Sequence, residues 1–153
     1  IQMKAIYPGT FDPFTKGHES VVRKALELFD EVVIAIGFNT SKTYLFDLES
    51  RKAHIASIFE QNKNVRIEQY QGLTVEYCKI IGAQFIVRGL RDTKDFEYEK
   101  NIAQMNLDIS GIESVFFMTK PEYAAINATI VREIYKSGGK INLFVTNSEK
   151  LVK

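Results

Sequence analysis

Two loops and one lysine hold the residues whose types and spacing suit chemistry. Near the start, Tyr7-Pro8-Gly9-Thr10-Phe11-Asp12-Pro13 leads into Thr15-Lys16-Gly17-His18, where an imidazole opens a helical pattern. Free N–H groups at a helix start attract phosphate, and a histidine in the first turn points toward the same anion. Gly9 and Gly17 allow close backbone approaches that a Cβ would block. Further on, Val87-Arg88-Gly89-Leu90-Arg91-Asp92 puts two guanidinium groups in one tight turn directly at a strand end. Such a pair suits bidentate phosphate contacts. The competing reading pairs both arginines with Asp92, Asp95, Glu97 or Glu99 as a solvated charge cluster. Lys42, in the loop Asn39 to Phe46, is a third candidate cation.

Other chemistries find no support. The dinucleotide pattern GxGxxG and the Walker pattern are absent, and no paired carboxylates, Ser/His/Asp triad or Cys/His metal cluster is evident. His54 lies on a helical pattern and reads as structural or exposed; Cys78, in an apolar periodic run, reads as a small core residue. What remains is a set of cations and backbone donors without a nucleophile. That favours phosphoryl or nucleotidyl transfer, in which catalysis is mainly positioning and charge stabilisation.

The elements that must position these groups alternate. Short apolar or β-branched runs at Lys4–Tyr7, Val32–Phe38, Val65–Tyr70, Phe85–Val87 and Ser114–Met118 read as strands. Between them lie helical patterns: Val21, Val22, Ala25, Leu26 and Phe29; then Ile55, Ile58 and Phe59 behind an Asp47 cap. Further helices are expected over Thr74–Ile81, ending at Gly82, over Asp95–Ile109, ending at Gly111, and from near Thr129 to Gly138-Gly139. Alternation of this kind predicts an α/β fold, an open parallel five-stranded sheet with helices on both faces. Right-handed crossovers from a central first strand give the order 3-2-1-4-5, with its reversal between the first and fourth strands. Ligands of such sheets bind at that switch point, so the loops after Tyr7 and Val87 should face one crevice.

The 153 residues predict a single domain, 1–153, able to bury a core without disulfides; Ile1-Gln2 ahead of Met3 read as an added remnant. With 20 Lys+Arg against 19 Asp+Glu, the net charge of +1 argues against a bulk electrostatic binder of nucleic acid or membrane. The longest apolar runs are far below the ~20 residues of a membrane span. One cysteine and no targeting signal point to a cytoplasmic setting.

Gly9-Thr10-Phe11-Asp12-Pro13 followed by Thr15-Lys16-Gly17-His18 resembles the TxGH or HxGH signature of the nucleotidylyltransferase superfamily. The run from Arg88 to Glu99, RGLRDTKDFEYE, closely resembles the diagnostic segment of bacterial phosphopantetheine adenylyltransferases. The likeness extends from Lys4 to about Phe144, including Ser41-Lys42 and Gln104 to Asn106. It implies a Rossmann-like fold, a homohexamer, and adenylyl transfer from ATP to 4′-phosphopantetheine, giving dephospho-coenzyme A and pyrophosphate. By resemblance, Thr10 meets both substrates, His18 the transferring phosphate, Lys42 and Arg88 the pantetheine phosphate, and Arg91 the ATP phosphates. Phe11, Gly89, Leu90, Glu99 and the stretch Tyr123, Ala124, Ala125, Ile126, Asn127, Ala128, Thr129 match the nucleotide side. Leu73, Thr74, Ile102 and Asn106 match positions near the pantetheine arm. His18, Lys42, Arg91 and Thr10 form the implied catalytic set, with Mg²⁺ carried by phosphates and water. One departure is visible: where the family carries a serine-rich run, this chain has Asn127-Ala128-Thr129, with Thr129 expected to keep a capping hydroxyl. The rivals are transfer to nicotinate mononucleotide or glycerol phosphate, and a nucleotide-binding regulatory module with a relic site.

Overall fold

The computed structural model describes residues 2–152, so the remnant reading of Ile1-Gln2 falls partly outside it. Five strands, β1 (Lys4–Gly9), β2 (Glu31–Gly37), β3 (Val65–Tyr70), β4 (Phe85–Leu90) and β5 (Glu113–Met118), form one sheet in the order β3-β2-β1-β4-β5. Every neighbouring pair is parallel, as the alternating pattern requires. The helices are α1 (Lys16–Ala25), α2 (Leu48–Ile58), α3 (Thr74–Ile81), α4 (Thr93–Ser110) and α5 (Ala128–Lys136). No helix among the described residues is long and apolar enough to cross a membrane.

Local chemistry sets the helix ends. Asp47 accepts the Ser50 N–H at 2.7 Å and caps α2. Gly82 and Gly111 end α3 and α4 at φ +72° and +75°, a left-handed conformation that glycine adopts without strain. One face of the sheet packs Tyr7, Val32, Ile34 and Val87 against Val21, Val22, Ala25, Ile55 and Phe59. The other face packs Ile6, Ala35 and Ile86 against Val75, Cys78 and Ala83. Each fully buried aliphatic or aromatic side chain contributes ~1.5–3 kcal/mol of burial. Cys78 belongs to this core, and desolvation pushes its thiol up to about 11. His54 is also structural: fully buried, it donates from Nε2 to the Thr146 carbonyl at 2.7 Å. A third cluster, Phe46, Val131, Ile141, Val145 and Leu151, fastens the C-terminal segment to α5.

Two strands run further at their C-terminal ends than the sequence pattern predicts. β1 continues through Pro8 to Gly9 and β4 through Arg88 to Leu90, so Arg88 lies within its strand and not at the end. The central position of Pro8 has a simple cause. β1 and β4 pair only at Ala5 with Phe85 and Ile6 with Ile86, and then part, whereas β4 stays paired with β5 as far as Leu90 with Met118. The Pro8 carbonyl faces that gap, accepting a bond from Arg88 across it, so the missing N–H on the same side costs no ladder bond. The parting of β1 from β4 is the crevice expected at the switch point.

Candidate active site

The crevice holds two chambers. One, of about 700 Å³, is lined by Thr10, Asn39, Lys42, Tyr44, Thr74, Arg88, Tyr98, Ile102 and Asn106 among others. The second, of about 350 Å³, is lined by Thr10, Phe11, His18, Gly89, Arg91, Tyr123 and Ile126 to Thr129 among others. Pro8, Gly9, Thr10, Arg88 and Glu99 line both and form the wall where the chambers meet.

His18 is fixed by the start of its own helix. Thr15 is the N-cap of α1, and the His18 side chain takes the place usually filled by Glu or Gln in a capping box. The Thr15 backbone N–H donates to His18 Nδ1 at 2.9 Å. A nitrogen that accepts an N–H carries no proton, so the neutral ring has its hydrogen on Nε2. Aromatic neighbours hold the ring, with Phe11 5.1 Å and Phe14 5.4 Å away between centroids. Burial, reinforced by the Arg88 and Arg91 charges, pulls its pKa down to about 3. The ring therefore presents a neutral N–H donor to the crevice. Phe11 itself sits at φ +52°, a left-handed conformation that costs a non-glycine residue ~1–2 kcal/mol.

Both arginines carry acidic partners, as the charge-cluster reading requires, and both still line the crevice. Arg88 donates to Glu99 from Nε at 2.9 Å and Nη2 at 2.7 Å, and from Nη1 to the Pro8 carbonyl at 2.7 Å. Burial pulls the Arg88 pKa down, but the Glu99 hydrogen bonds and charge outweigh it, and the net shift is upward. Arg91 pairs with Asp95 at 3.0 Å, and that hydrogen-bonded pairing lowers the Asp95 pKa. Lys42 is exposed on the rim of the larger chamber. Close approach explains Gly89: a Cβ there would lie 2.6 Å from Val21 Cγ2, so glycine lets α1 pack on β4.

The helix starts are less open than their sequence implies. The Lys16 N–H donates to the Phe144 carbonyl at 2.8 Å, and the His18 N–H to Thr15 Oγ1 at 3.4 Å. At α5 the cap is Asn127 and not Thr129: Asn127 Oδ1 accepts from Thr129 N at 2.8 Å and Ile130 N at 3.3 Å. Thr129 lies inside the first turn, where its hydroxyl accepts from Arg132 Nη2 at 3.1 Å. A hydroxyl placed past the cap cannot reach those amides, which is the reason for the difference.

The crevice thus gathers most of the sequence-derived set. Thr10, Lys42, Thr74, Arg88, Ile102 and Asn106 share the larger chamber; Thr10, Phe11, His18, Gly89, Arg91, Glu99, Tyr123, Ile126, Asn127, Ala128 and Thr129 share the smaller. His18 and Lys42 stand in different chambers, and Leu73, Leu90, Ala124 and Ala125 line neither. Leu73 is exposed at the start of α3, and Leu90 is buried at the end of β4. Sequence reasoning missed Arg132, which lines the smaller chamber and donates to the Asp12 carbonyl at 2.9 Å. It also missed the Asp12 carboxylate, which accepts from Leu45 N at 2.8 Å and Phe46 N at 3.0 Å. Asp12 stands in the Gly9-Thr10-Phe11-Asp12-Pro13 motif but nothing local gives its carboxylate a role, and Arg132 carries no local signal, because each acts on backbone distant in sequence. Among the described residues no group of three or more His, Cys, Asp or Glu side chains is arranged to hold a metal ion.

Comparison with known proteins agrees with the fold. A cytidylyltransferase-like family profile matches residues 6–134. The chain is 43% identical over 148 residues to the phosphopantetheine adenylyltransferase of Flavobacterium psychrophilum, covering 97% of this chain and 98% of that one. It is 47% identical over 142 residues to that of Cytophaga hutchinsonii, covering 92% and 95%. A solved structure with the same fold is a bifunctional NMN adenylyltransferase/ADP ribose pyrophosphatase from Francisella tularensis, at TM-score 0.71 and 21% identity, covering 99% of this chain and 46% of that one. With its Rossmann-like 3-2-1-4-5 sheet, its split crevice and relatives alike along their whole length, the chain belongs to the phosphopantetheine adenylyltransferase family of cytidylyltransferase-like proteins.

Proposed function

We propose that the protein transfers the adenylyl group of ATP to 4′-phosphopantetheine, forming dephospho-coenzyme A and releasing pyrophosphate. The observation that carries this reading is the shared wall: Thr10 and Arg88 border both chambers, so two anionic substrates placed one in each meet there. ATP occupies the smaller chamber, against Arg91, His18 and the start of α5, and the acceptor phosphate lies between Lys42 and Arg88.

An oxygen of the acceptor phosphate attacks the α-phosphorus as the bond to the bridging oxygen of pyrophosphate breaks. The attacking group is already anionic, so no general base is required, and the missing acid/base pair is no defect. Charge grows on the α-phosphoryl oxygens and on the leaving pyrophosphate. His18 Nε2–H donates to the first, and Arg91 with the α5 start stabilises the second. The donor set fits a Mg²⁺ ion held by phosphate oxygens and water: Glu99 and Asp95 are engaged by arginines and the Asp12 carboxylate by backbone amides. When bound, Mg²⁺ supplies charge neutralisation on the triphosphate.

The hexameric reading comes from the family resemblance; association of copies is supported by α4, whose 18 residues include none that is buried and leave Phe96, Met105 and Ile109 exposed. A cytoplasmic setting accords with a single, buried thiol. A substrate panel tests the reaction: phosphopantetheine, nicotinate mononucleotide and glycerol 3-phosphate, each with ATP or CTP, scored by pyrophosphate release. Release with phosphopantetheine and ATP alone is expected. Turnover of another pair reassigns the substrate, and nucleotide binding without turnover supports a regulatory module.

A further inference from the structure

The turn that carries Thr10 is gripped on both sides of the left-handed Phe11. Arg51 Nη1 donates to the Thr10 carbonyl at 2.7 Å, and Arg132 Nη1 donates to the Asp12 carbonyl at 2.9 Å. Arg132 lines a chamber, whereas Arg51 lines neither and is only 1% exposed. Its bonds go to carbonyl oxygens, Phe46 (from Nε at 3.0 Å) as well as Thr10, and not to a carboxylate. Burial consequently lowers its pKa, yet a guanidinium remains charged at neutral pH. Replacing a buried charge by an apolar residue of similar volume is often neutral or stabilising in proteins, so stability alone gives little reason for an arginine here. What an apolar residue cannot do is hold two carbonyls in a fixed fork.

Those two carbonyls belong to different parts of the site. Thr10 lies on the wall between the chambers, and Phe46 ends the loop that carries Lys42. The Arg51 guanidinium also lies 4.4 Å from the centroid of the Tyr44 ring, and Tyr44 Oη accepts the Asn39 N–H at 2.9 Å, closing the loop around Lys42. Asp12 completes the circuit from the other side by accepting the Leu45 and Phe46 N–H groups.

We propose that Arg51 is a positioning residue for the transfer reaction, holding the Thr10 turn and the Lys42 loop in one arrangement so that the acceptor phosphate faces the group that His18 contacts. The proposal rests on the adenylyl-transfer reading. Its test uses Arg51→Lys, which keeps the charge but loses the fork, and Arg51→Met, which keeps only the length. Both are compared with wild type for kcat, for KM of phosphopantetheine, for ATP affinity by calorimetry, and for thermal midpoint.

Misplacement of this kind is expected to lower kcat about 10- to 100-fold. The acceptor KM should rise about threefold or more, while ATP affinity changes less than about twofold. Arg51→Lys should retain more activity than Arg51→Met. If Arg51→Met does not fold, Arg51→Lys alone decides. Wild-type kcat and acceptor KM in Arg51→Lys, with loss confined to the thermal midpoint, overturn the proposal. If the wild-type enzyme itself does not use phosphopantetheine, the reaction reading fails, and amide hydrogen exchange of Arg51→Lys then judges Arg51. Faster exchange confined to residues 10–12 and 39–46 supports the clamp, and unchanged exchange there overturns it.

Discussion

At the scale of single residues, the donors that line the crevice are oriented in advance. The Thr15 N–H on Nδ1 forces the His18 proton onto Nε2 before any substrate arrives. An interaction that strengthens as charge builds on the α-phosphoryl group acts on the transition state more than on bound ATP. His18→Ala should therefore lower kcat by about 10²–10³-fold and change ATP affinity little, as steady-state kinetics beside calorimetry would show. Equal loss of ATP affinity with unchanged turnover would remove His18 from that role. Lys42 differs from Arg88 in its protein environment. Lys42→Ala takes away an exposed side chain, so the acceptor KM should rise with stability unchanged to within ~0.5 kcal/mol. Arg88→Ala should also raise the acceptor KM, but it strands Glu99, whose side chain is 12% exposed, and should lower the denaturation midpoint as well.

At the scale of elements, helix starts decide how much of the backbone is available to phosphate. Asn127 Oδ1 occupies two of the α5 amides on the wall of the smaller chamber. Asn127→Gly would free both for a cost of only a few tenths of a kcal/mol in capping. ATP should then bind about 2- to 10-fold more tightly, the value of one added hydrogen bond; weaker binding in a titration would mean that the Asn127 side chain itself holds the nucleotide. Elements were also where the sequence was most readable. The Asp47 cap and the glycines after α3 and α4 sit where side-chain chemistry and φ demand them, and the strand order follows from crossover handedness. The Asn127 cap was less legible, because a threonine two residues later offers the same kind of oxygen. The segment with Ile141, Val145 and Leu151 was not legible either: these residues pack on Phe46 and Val131 from outside any regular period. Arg51 left no trace, since its Thr10 partner is a backbone carbonyl 41 residues away.

For the molecule as a whole, both histidines make acid the weak side. His18 titrates near 3 and His54 is lowered by burial, whereas an unfolded chain titrates its histidines near ~6.5. Between those values the unfolded state binds more protons, so stability falls as pH drops below ~6.5, by at most ~1.4 kcal/mol per pH unit per histidine. Urea midpoints measured from pH 7 to pH 4 should show this slope, and His18→Gln should flatten it. Above pH ~7 neither histidine contributes any slope. The sheet adds a mechanical consequence. β1 meets β4 at two register pairs, whereas β1 with β2 and β4 with β5 each run through six. The sheet is therefore two leaves, β3-β2-β1 and β4-β5, with strand pairing between them at Ala5–Ile6 and a guanidinium bridging the gap higher up, from Arg88 to the Pro8 carbonyl. Glu99 and the Pro8 carbonyl take three of the five Arg88 N–H groups, so an acceptor phosphate that meets the remaining two fills the crevice through the same side chain that fastens its seam.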